Sequence, residues 1–412
     1  MGLNSVDFNG LKAISTTAKL KDEEIIRISG QSGLNSMIRS ISDNQEQPEP
    51  FYILDLAVVL KLMEKWNQSL PNVTPFYAVK CNPEPALLLA LAKLGASFDC
   101  ASEAEIATVL ALSVSPDKIV YANPIKQVSH IKYAVRTGVN LTVFDAKEEI
   151  DKMKKWHPES ELLLRIKVPN DTTSWRSLGT KYGASTDEII PLLKHARRLD
   201  MKVVGISFHV GSKATEADIY RRAISVARLA FDAAVQLEMP EMHILDIGGG
   251  FKVNQLFDEI VKTVNESIGE FFHDIPSLKV IAEPGRFFVE TAFTMATNVI
   301  GKRVRGDQIQ YWIDDGIYGS FNTSAFDSSS MIFKPLKNNE ENDEEHLVIT
   351  SSTIFGPTCD SLDIVVKECK LPEMNTGDLL VFYNMGAYTT TAATKFNGFQ
   401  RFEIPTYLAY SQ

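Results

Sequence analysis

"PFYAVKCNPEP", residues 75–85, is a run of strand-forming residues, Pro75 to Val79, that ends in a lysine and is stopped by Asn82-Pro83 ahead of an apolar helical stretch, PALLLALAKLGA. A short β-branched or aromatic run, a turn and a helix-period segment together make one βα unit. The same unit recurs along the chain. Strand-like runs stand at PFYAVK (75–80), SFDCAS (97–102), KIVYAN (118–123), LTVFDA (141–146), LLLRIKV (162–168), VVGISFHV (203–210), ILDIGGG (244–250) and VIAEPGR (280–286), eight in all. They are near-continuously apolar rather than alternating, the pattern of parallel strands covered on both faces. Eight repeats predict an α/β fold built on a (β/α)8 TIM-like barrel. A doubly wound open sheet is the alternative, but the GxGxxG turn of its dinucleotide-binding form is missing.

From about residue 292 the helices disappear and strand-like runs follow one another: FTMATNVIGKRV, IQYWIDDGIYGSF, HLVITSSTIFG and GDLLVFYNMGAY. These predict a C-terminal antiparallel β domain over 292–412, with the barrel over 51–291. Residues 1–50 hold one short strand signal, LNSVDF, and a weak helix, EIIRISGQSGLNSMI. They are expected to pack with the β domain.

With 412 residues and 44% hydrophobic content the chain has material for two cores, and only KNNEENDEE (337–345) reads as a mobile acidic loop. A net charge of -10 argues against nucleic acid, which requires a basic face. The acidity is compatible with a cationic substrate, although a solvated acidic surface is the plainer and preferred account of it. Four cysteines without CxxC spacing point to a reducing compartment, and cytoplasmic localisation is expected. No apolar run approaches the ~20 residues that span a bilayer, and MGLNSV puts Val6 where a myristoylation signal has Ser or Thr. No metal is expected.

In such barrels chemistry collects where the strands end, because the βα loops open there while the interior is packed. The runs end in Lys80, Asp99, Asn123, Asp145, Arg165, His209, Gly248 to Gly250, and Glu283 with Arg286. Singly, each has a plain structural explanation: a lysine closing a strand is usually solvated, and GGG can be only a tight turn. Jointly they describe a pocket for an aromatic, phosphate-bearing cofactor. Gly-rich turns follow the seventh and eighth strands, where barrels commonly hold phosphate, and Arg286 adds charge. Lysine forms Schiff bases with a carbonyl cofactor, and Glu283 is suited to pair with a pyridinium nitrogen.

PFYAVKCN, FDCAS, FHVGS, DIGGGF, EPGRF, DDGIYGSFN, FGPTCDSLD and NMGAYTTTAATKFNGF, in this order between Tyr52 and Phe402, resemble the eukaryotic-type ornithine decarboxylase family. That family belongs to the alanine-racemase-like class of pyridoxal 5'-phosphate (PLP) enzymes, which work as head-to-tail homodimers with shared active sites. The resemblance implies that Lys80 carries PLP as an internal aldimine and that Glu283 keeps the ring nitrogen protonated. His209 would stack on the ring, with Asp99, Glu105 and Arg165 supporting Lys80 and the ring face. Ser212, Gly248, Gly249, Gly250, Gly285, Arg286 and Tyr388 would hold the phosphate. Cys359 would reprotonate the carbanion from the partner subunit. Asp360 and Asp327 would hold the substrate's distal ammonium, flanked by Phe326 and Tyr318. Lys181 and Asp363 resemble an intersubunit salt-bridge pair.

The implied reaction is decarboxylation of L-ornithine to putrescine. Phe326-Asp327-Ser328 departs from the YDH of animal enzymes, which keeps a lysine or broad-specificity decarboxylase as the alternative. An alternative of another class is a catalytically inactive antizyme-inhibitor-like binding protein. Such proteins lose members of the cofactor set, whereas Lys80, His209, Glu283, Arg286 and Cys359 all stand here. The segment matching the antizyme-binding stretch, 116–140, is only modestly basic (Lys118, Lys126, Lys132, Arg136) and the chain ends at LAYSQ without a Pro, Glu, Ser and Thr-rich tail, so antizyme control is not expected.

Overall fold

The computed structural model describes residues 25–169, 181–212, 214–322, 331–336, 349–399 and 403–412. The strand signal at 3–8, the acidic run at 337–345 and the Phe326-Asp327-Ser328 triplet lie outside them. Two compact units emerge, one of residues 62–288 and one of residues 1–61 with 289–412.

The chain enters through β1 (Ile26–Ile28), the helix Gly30–Asn44 and β2 (Phe51–Asp55). The larger unit is then a closed ring of eight parallel strands: β3 (Val73–Ala78), β4 (Ser97–Cys100), β5 (Ile119–Tyr121), β6 (Leu141–Phe144), β7 (Glu161–Arg165), β8 (Lys202–Ser207), β9 (Ile244–Asp246) and β10 (Lys279–Ala282). β10 pairs back onto β3 to close it. These are the eight runs read from the sequence; Lys80, Asn123, Asp145, His209, Gly248 and Glu283 fall just past their strands, while Asp99 lies within β4 and Arg165 ends β7. The ring is filled by Phe76, Val120, Val143, Leu163, Val204, Ile244 and Ile281, one side chain from each of seven strands, all buried. Burying each such side chain is worth about 1.5–3 kcal/mol, so the interior is a packed core with no room for a ligand. Chemistry is confined to the rim.

The second unit forms a nine-stranded sheet. It adds β11 (Phe293–Arg305), β12 (Gln308–Ile313), β13 (Ile332–Leu336), β14 (Ile349–Phe355), β15 (Ile364–Pro372), β16 (Leu379–Tyr383) and β17 (Thr406–Ser411) to β1 and β2. The sheet is mixed rather than antiparallel: β1 with β17, β17 with β2, and β12 with β14 run parallel. Apolar alternation marks a strand but carries no sign of its neighbour's direction. β13 pairs with β16 instead of returning along β12, which leaves β14 free to join β12 in parallel. Met37, Ile38 and Ile41 of the first helix pack with Phe51, Ile53, Ala296, Val381 and Ala409. The N-terminal segment thus joins the β unit. β2 does so too, lying between β17 and β11, so residues 51–61 belong here and not at the head of the barrel as their position suggested.

Of the four basic residues in 116–140, Lys126 is turned inward. It is buried against Glu149 (2.9 Å), and its ammonium donates to the Val143 carbonyl at 2.7 Å. Lys132 lies over the Trp156 ring at 4.1 Å. The segment is even less basic at its surface than its composition implies.

Ring closure sets one strict demand on β8. A Cβ at Gly205 would overlap the Ile244 carbonyl oxygen on β9. Gly205→Ala therefore forces the strands apart and costs about 3 kcal/mol, the upper range for overpacking, read as a lowered urea midpoint. An unchanged midpoint would contradict this strand register.

Candidate active site

Backbone hydrogen bonds continue the ring one step beyond the strands. Ala78 N–H donates to Pro284 (3.2 Å), Glu283 N–H to Gly248 (2.7 Å), Phe208 N–H to Asp246 (3.0 Å) and Ile166 N–H to Ser207 (2.8 Å). The polar residues that follow the apolar strands accordingly leave a common rim at nearly one level.

On one side of that rim Lys80 sits in a short turn, Val79–Cys81, directly after β3. Its ammonium donates to Asp99 Oδ2 on β4, the neighbouring strand. Lys80 is 38% exposed while Asp99 has no exposed surface, so the amine is held at the cavity surface by a carboxylate from beneath. Asp99 Oδ1 has no hydrogen-bond partner among the described residues. Glu105 closes a reciprocal cap with Ser102: its Oε2 accepts from Ala101 N–H (2.6 Å), and Ser102 Oγ accepts from Glu105 N–H (3.3 Å). Burial, with Asp99's charge nearby, raises the Glu105 pKa.

His209 follows β8 and its Nδ1 accepts from Gly211 N–H at 2.9 Å. A neutral imidazole so bonded carries its proton on Nε2. Burial first, then the charges of Arg165 and Lys80, holds its pKa well below 6.5, so the ring is neutral at physiological pH. Arg165 itself ends β7 and lies over the Tyr182 ring (5.0 Å). Glu283, just past β10, is buried, and burial together with the adjacent Asp246 and Asp99 pushes its pKa well above the usual carboxylate range. Lys80 and Arg165 act in the opposite sense on the same carboxyl.

Between these groups the Gly248 to Gly250 turn lies as bare backbone. Gly248 and Gly250 have φ of 64° and 107°, a region that L side chains rarely adopt. A Cβ at Gly250 would come within 2.7 Å of the Tyr220 hydroxyl, and one at Gly249 within 2.9 Å of His209 Nε2. Tyr220, fully buried, fixes the turn by donating to the Gly249 carbonyl (2.9 Å). Arg286 Nε donates to Ser212 Oγ (3.0 Å), while a Cβ at Gly285 would press against Cys81.

The β unit holds the other predicted residues. Tyr318's hydroxyl donates to Asp360 Oδ2, its ring stacks on Phe396 (4.3 Å between centroids), and this hydroxyl with Leu362 N–H lowers the Asp360 pKa. Cys359 is exposed, and its N–H donates to Asn397 Oδ1 (2.9 Å). Asp363 is buried and accepts from Ile317 N–H (2.9 Å), Thr358 N–H (3.0 Å) and Thr358 Oγ1 (2.7 Å), which ties the Tyr318 loop to the Cys359 loop. Tyr388 has φ of 57°, a strained conformation for a tyrosine. Asp327 and Phe326 are outside the described residues.

Residues 56–290 match the family model described as pyridoxal-dependent decarboxylase, pyridoxal binding domain. The chain belongs to the pyridoxal-dependent decarboxylases. Among decarboxylases of known sequence it is 48% identical over 372 residues to the protein named "Ornithine decarboxylase, chloroplastic" of Nicotiana glauca, covering 89% of this chain and 86% of that one. It is 41% identical to "Ornithine decarboxylase" of Rattus norvegicus, over 89% and 82% of the two chains. Among solved decarboxylases it superposes on the Paramecium bursaria Chlorella virus arginine decarboxylase with a TM-score of 0.84 at 36% identity, covering 91% of this chain and 100% of the other. The lysine/ornithine decarboxylase of Vibrio vulnificus, complexed with putrescine, gives 0.82 at 32% identity, with coverage of 92% and 99%.

The rim fits the family's PLP. It offers an amine beside a buried carboxylate, a second buried acid in Glu283, a neutral imidazole and a bare glycine cradle next to Arg286 and Ser212. One participant was absent from the reading of the sequence. Asp246, the last residue of β9, is buried beside Glu283. The signal was present in ILDI, where a carboxylate interrupts an apolar run, but the glycines that follow drew the assignment. Asn397 and Phe396, within the quoted motif, were likewise given no role.

The neutral His209 has a consequence for stability. Unfolded, its ring binds a proton near pH 6.5, whereas folded it resists one, so stability is full above pH 6.5 and falls as pH drops below it. Relative to His209→Asn, wild type therefore loses its advantage as pH goes from about 7.5 to about 5.5. Urea midpoints across that range read the narrowing gap; a constant gap would mean the imidazole titrates alike in the folded and the unfolded chain.

Proposed function

We propose that this chain decarboxylates L-ornithine to putrescine and CO2, as a homodimer whose active sites are shared between subunits. The observation that carries the reading is the common rim on which Lys80, paired to Asp99, and Glu283 act electrostatically on one another. The names of relatives at 41–48% identity support ornithine as substrate.

PLP, when bound, supplies an aldehyde for an amine and a ring that takes up the electron pair released with CO2. Lys80 Nζ is the amine that holds the aldehyde, and Asp99 orients it. Glu283 keeps a proton at the ring nitrogen, where the arginine of the racemase branch would weaken the electron sink. His209, neutral, would stack on the ring and exclude water from it. The 248–250 backbone, Ser212, Gly285, Arg286 and Tyr388 hold the phosphate. Cys359 of the partner subunit delivers a proton to the carbon that CO2 leaves. Asp360, kept ionised by Tyr318, is assigned the distal ammonium; Asp327 and Phe326, outside the described residues, share that assignment through the resemblance alone. Lys181 and Asp363 serve the subunit interface, although Asp363's first task is ordering its own loops.

A lysine or broad-specificity decarboxylase is the competing reading, favoured by the Phe326-Asp327-Ser328 departure and by relatives titled arginine and lysine/ornithine decarboxylase. One methylene changes discrimination by only about 1–3 kcal/mol. An inactive, regulator-binding protein is disfavoured because the cofactor set is complete. Among the described residues no helix is long and apolar enough to cross a membrane, and the four cysteines are unpaired, in keeping with a reducing compartment such as the cytoplasm.

Incubated with PLP, the protein should develop visible absorption that Lys80→Ala removes, and should release CO2 from ornithine with a higher kcat/KM than from lysine, arginine or diaminopimelate. Absorption without CO2 from any of them would sink the activity; a higher kcat/KM on lysine would move the assignment to the competitor. Mixing Lys80→Ala with Cys359→Ala, each inactive or nearly so, should restore part of the activity, since one site of a hybrid dimer is then whole. A verified heterodimer without recovery would exclude shared sites.

A further inference from the structure

Among the described residues, Asp246 is a buried carboxyl at the rim that the roles above leave unused. It ends β9 with no exposed surface. Its Oδ1 accepts from Gly248 N–H at 2.9 Å, at the start of the glycine turn. Its Oδ2 has no ordinary donor among the described residues. The group within hydrogen-bonding reach of Asp246 is the carboxyl of Glu283. Two ionised carboxylates only accept, so they cannot bond to each other, and an anionic oxygen left alone in a closed site is strongly disfavoured. A single proton between the two carboxyls removes both difficulties.

We propose that Asp246 and Glu283 form a buried carboxyl dyad sharing one proton, and that Asp246 is the positioning residue that holds Glu283 toward the cofactor's ring nitrogen. This deepens the proposed function and rests on its placement of Glu283 at that nitrogen. In the empty rim the shared proton bonds one carboxyl to the other. Against a ring nitrogen that arrives protonated, the dyad keeps its single proton on Asp246. Its Oδ2–H then donates to the Glu283 carboxylate, which accepts the ring N–H on its other oxygen. No proton is gained or lost by the pair, and the negative charge stays on the oxygen nearest the ring.

The surroundings favour one proton over two or none. Burial raises both carboxyls, and Asp99 adds a negative charge from β4, which disfavours full ionisation. Arg165 from β7 and Lys80 after β3 supply positive charge, which disfavours full protonation. Burial pushes Asp246 up to about 7 and Glu283 well above the usual carboxylate range, in line with a proton retained by the pair at neutral pH.

Infrared spectra of the full-length protein without PLP, recorded against pH, test the dyad directly. Wild type should show one protonated carboxyl at neutral pH that is lost in both Asp246→Asn and Glu283→Gln. PLP affinity adds a second readout. Wild type should bind PLP more weakly at alkaline pH, as the dyad loses its proton; Asp246→Asn, whose amide donates the same hydrogen bond without a titrating proton, should bind nearly as wild type at neutral pH and lack that alkaline weakening. Asp246→Ala should bind about tenfold or more weakly, the worth of one hydrogen bond to a charged group. A carboxyl band unchanged in Asp246→Asn, or wild-type affinity in a folded Asp246→Ala, would overturn the dyad. Borohydride reduction of loaded wild type, with mapping of the labelled residue, separates this from the parent reading: a label away from Lys80 would defeat that assignment while the infrared result still decided the dyad.

Discussion

Pairing of β10 with β3 closes the barrel, and the apolar side chains drawn into the closed ring exclude both water and ligand from its interior. Ionisable residues on the strands can then be accommodated only where the strands stop. The catalytic rim follows from core packing. Each polar group there is delivered by a strand whose own residues are committed to the core, and the backbone bonds that run from Pro284 and Gly248 back to their neighbours keep these groups at one height.

Charge balance governs what the rim can do. Asp99, Asp246 and Glu283 bring three carboxyls into a space with little water, against the cations of Lys80 and Arg165. Such a set is tolerable only if a proton is retained or if a cationic group enters. His209, kept neutral by burial and then by the same cations, stays out of this balance and lies beside Gly249.

The β unit uses a different device. Asp363, buried between two loops, accepts from both and fixes the Tyr318 turn relative to the Cys359 turn. Gly316 and Gly356 leave the space its carboxylate occupies, since a Cβ at either would collide with it. Tyr318 then holds Asp360, and Asn397 holds the backbone of Cys359, so an exposed thiol sits on a defined main chain. Order here comes from polar contacts between loops, where the barrel relies on packing.

The fold class was legible because eight apolar runs alternating with helical segments have few other ways to bury both faces of a parallel sheet. Lys80, His209, Glu283 and the glycine turn were legible for the same reason, as polar residues standing where apolar runs end. Strand direction in the β unit and the attachment of β2 were not, since one hydrophobic pattern serves parallel and antiparallel neighbours alike. Lys126 reads in sequence as a surface cation but lies buried, because its partner Glu149 is distant along the chain. Asp246 is the clearest case: the letters place a carboxylate in a strand, but only the register of β9 beside β10 brings it to Glu283. The sequence determined which polar residues stand where the strands end, through periodicities that are local. Which of them share a proton or a partner was decided by the tertiary structure, because such coupling depends on through-space distance and on exclusion of water.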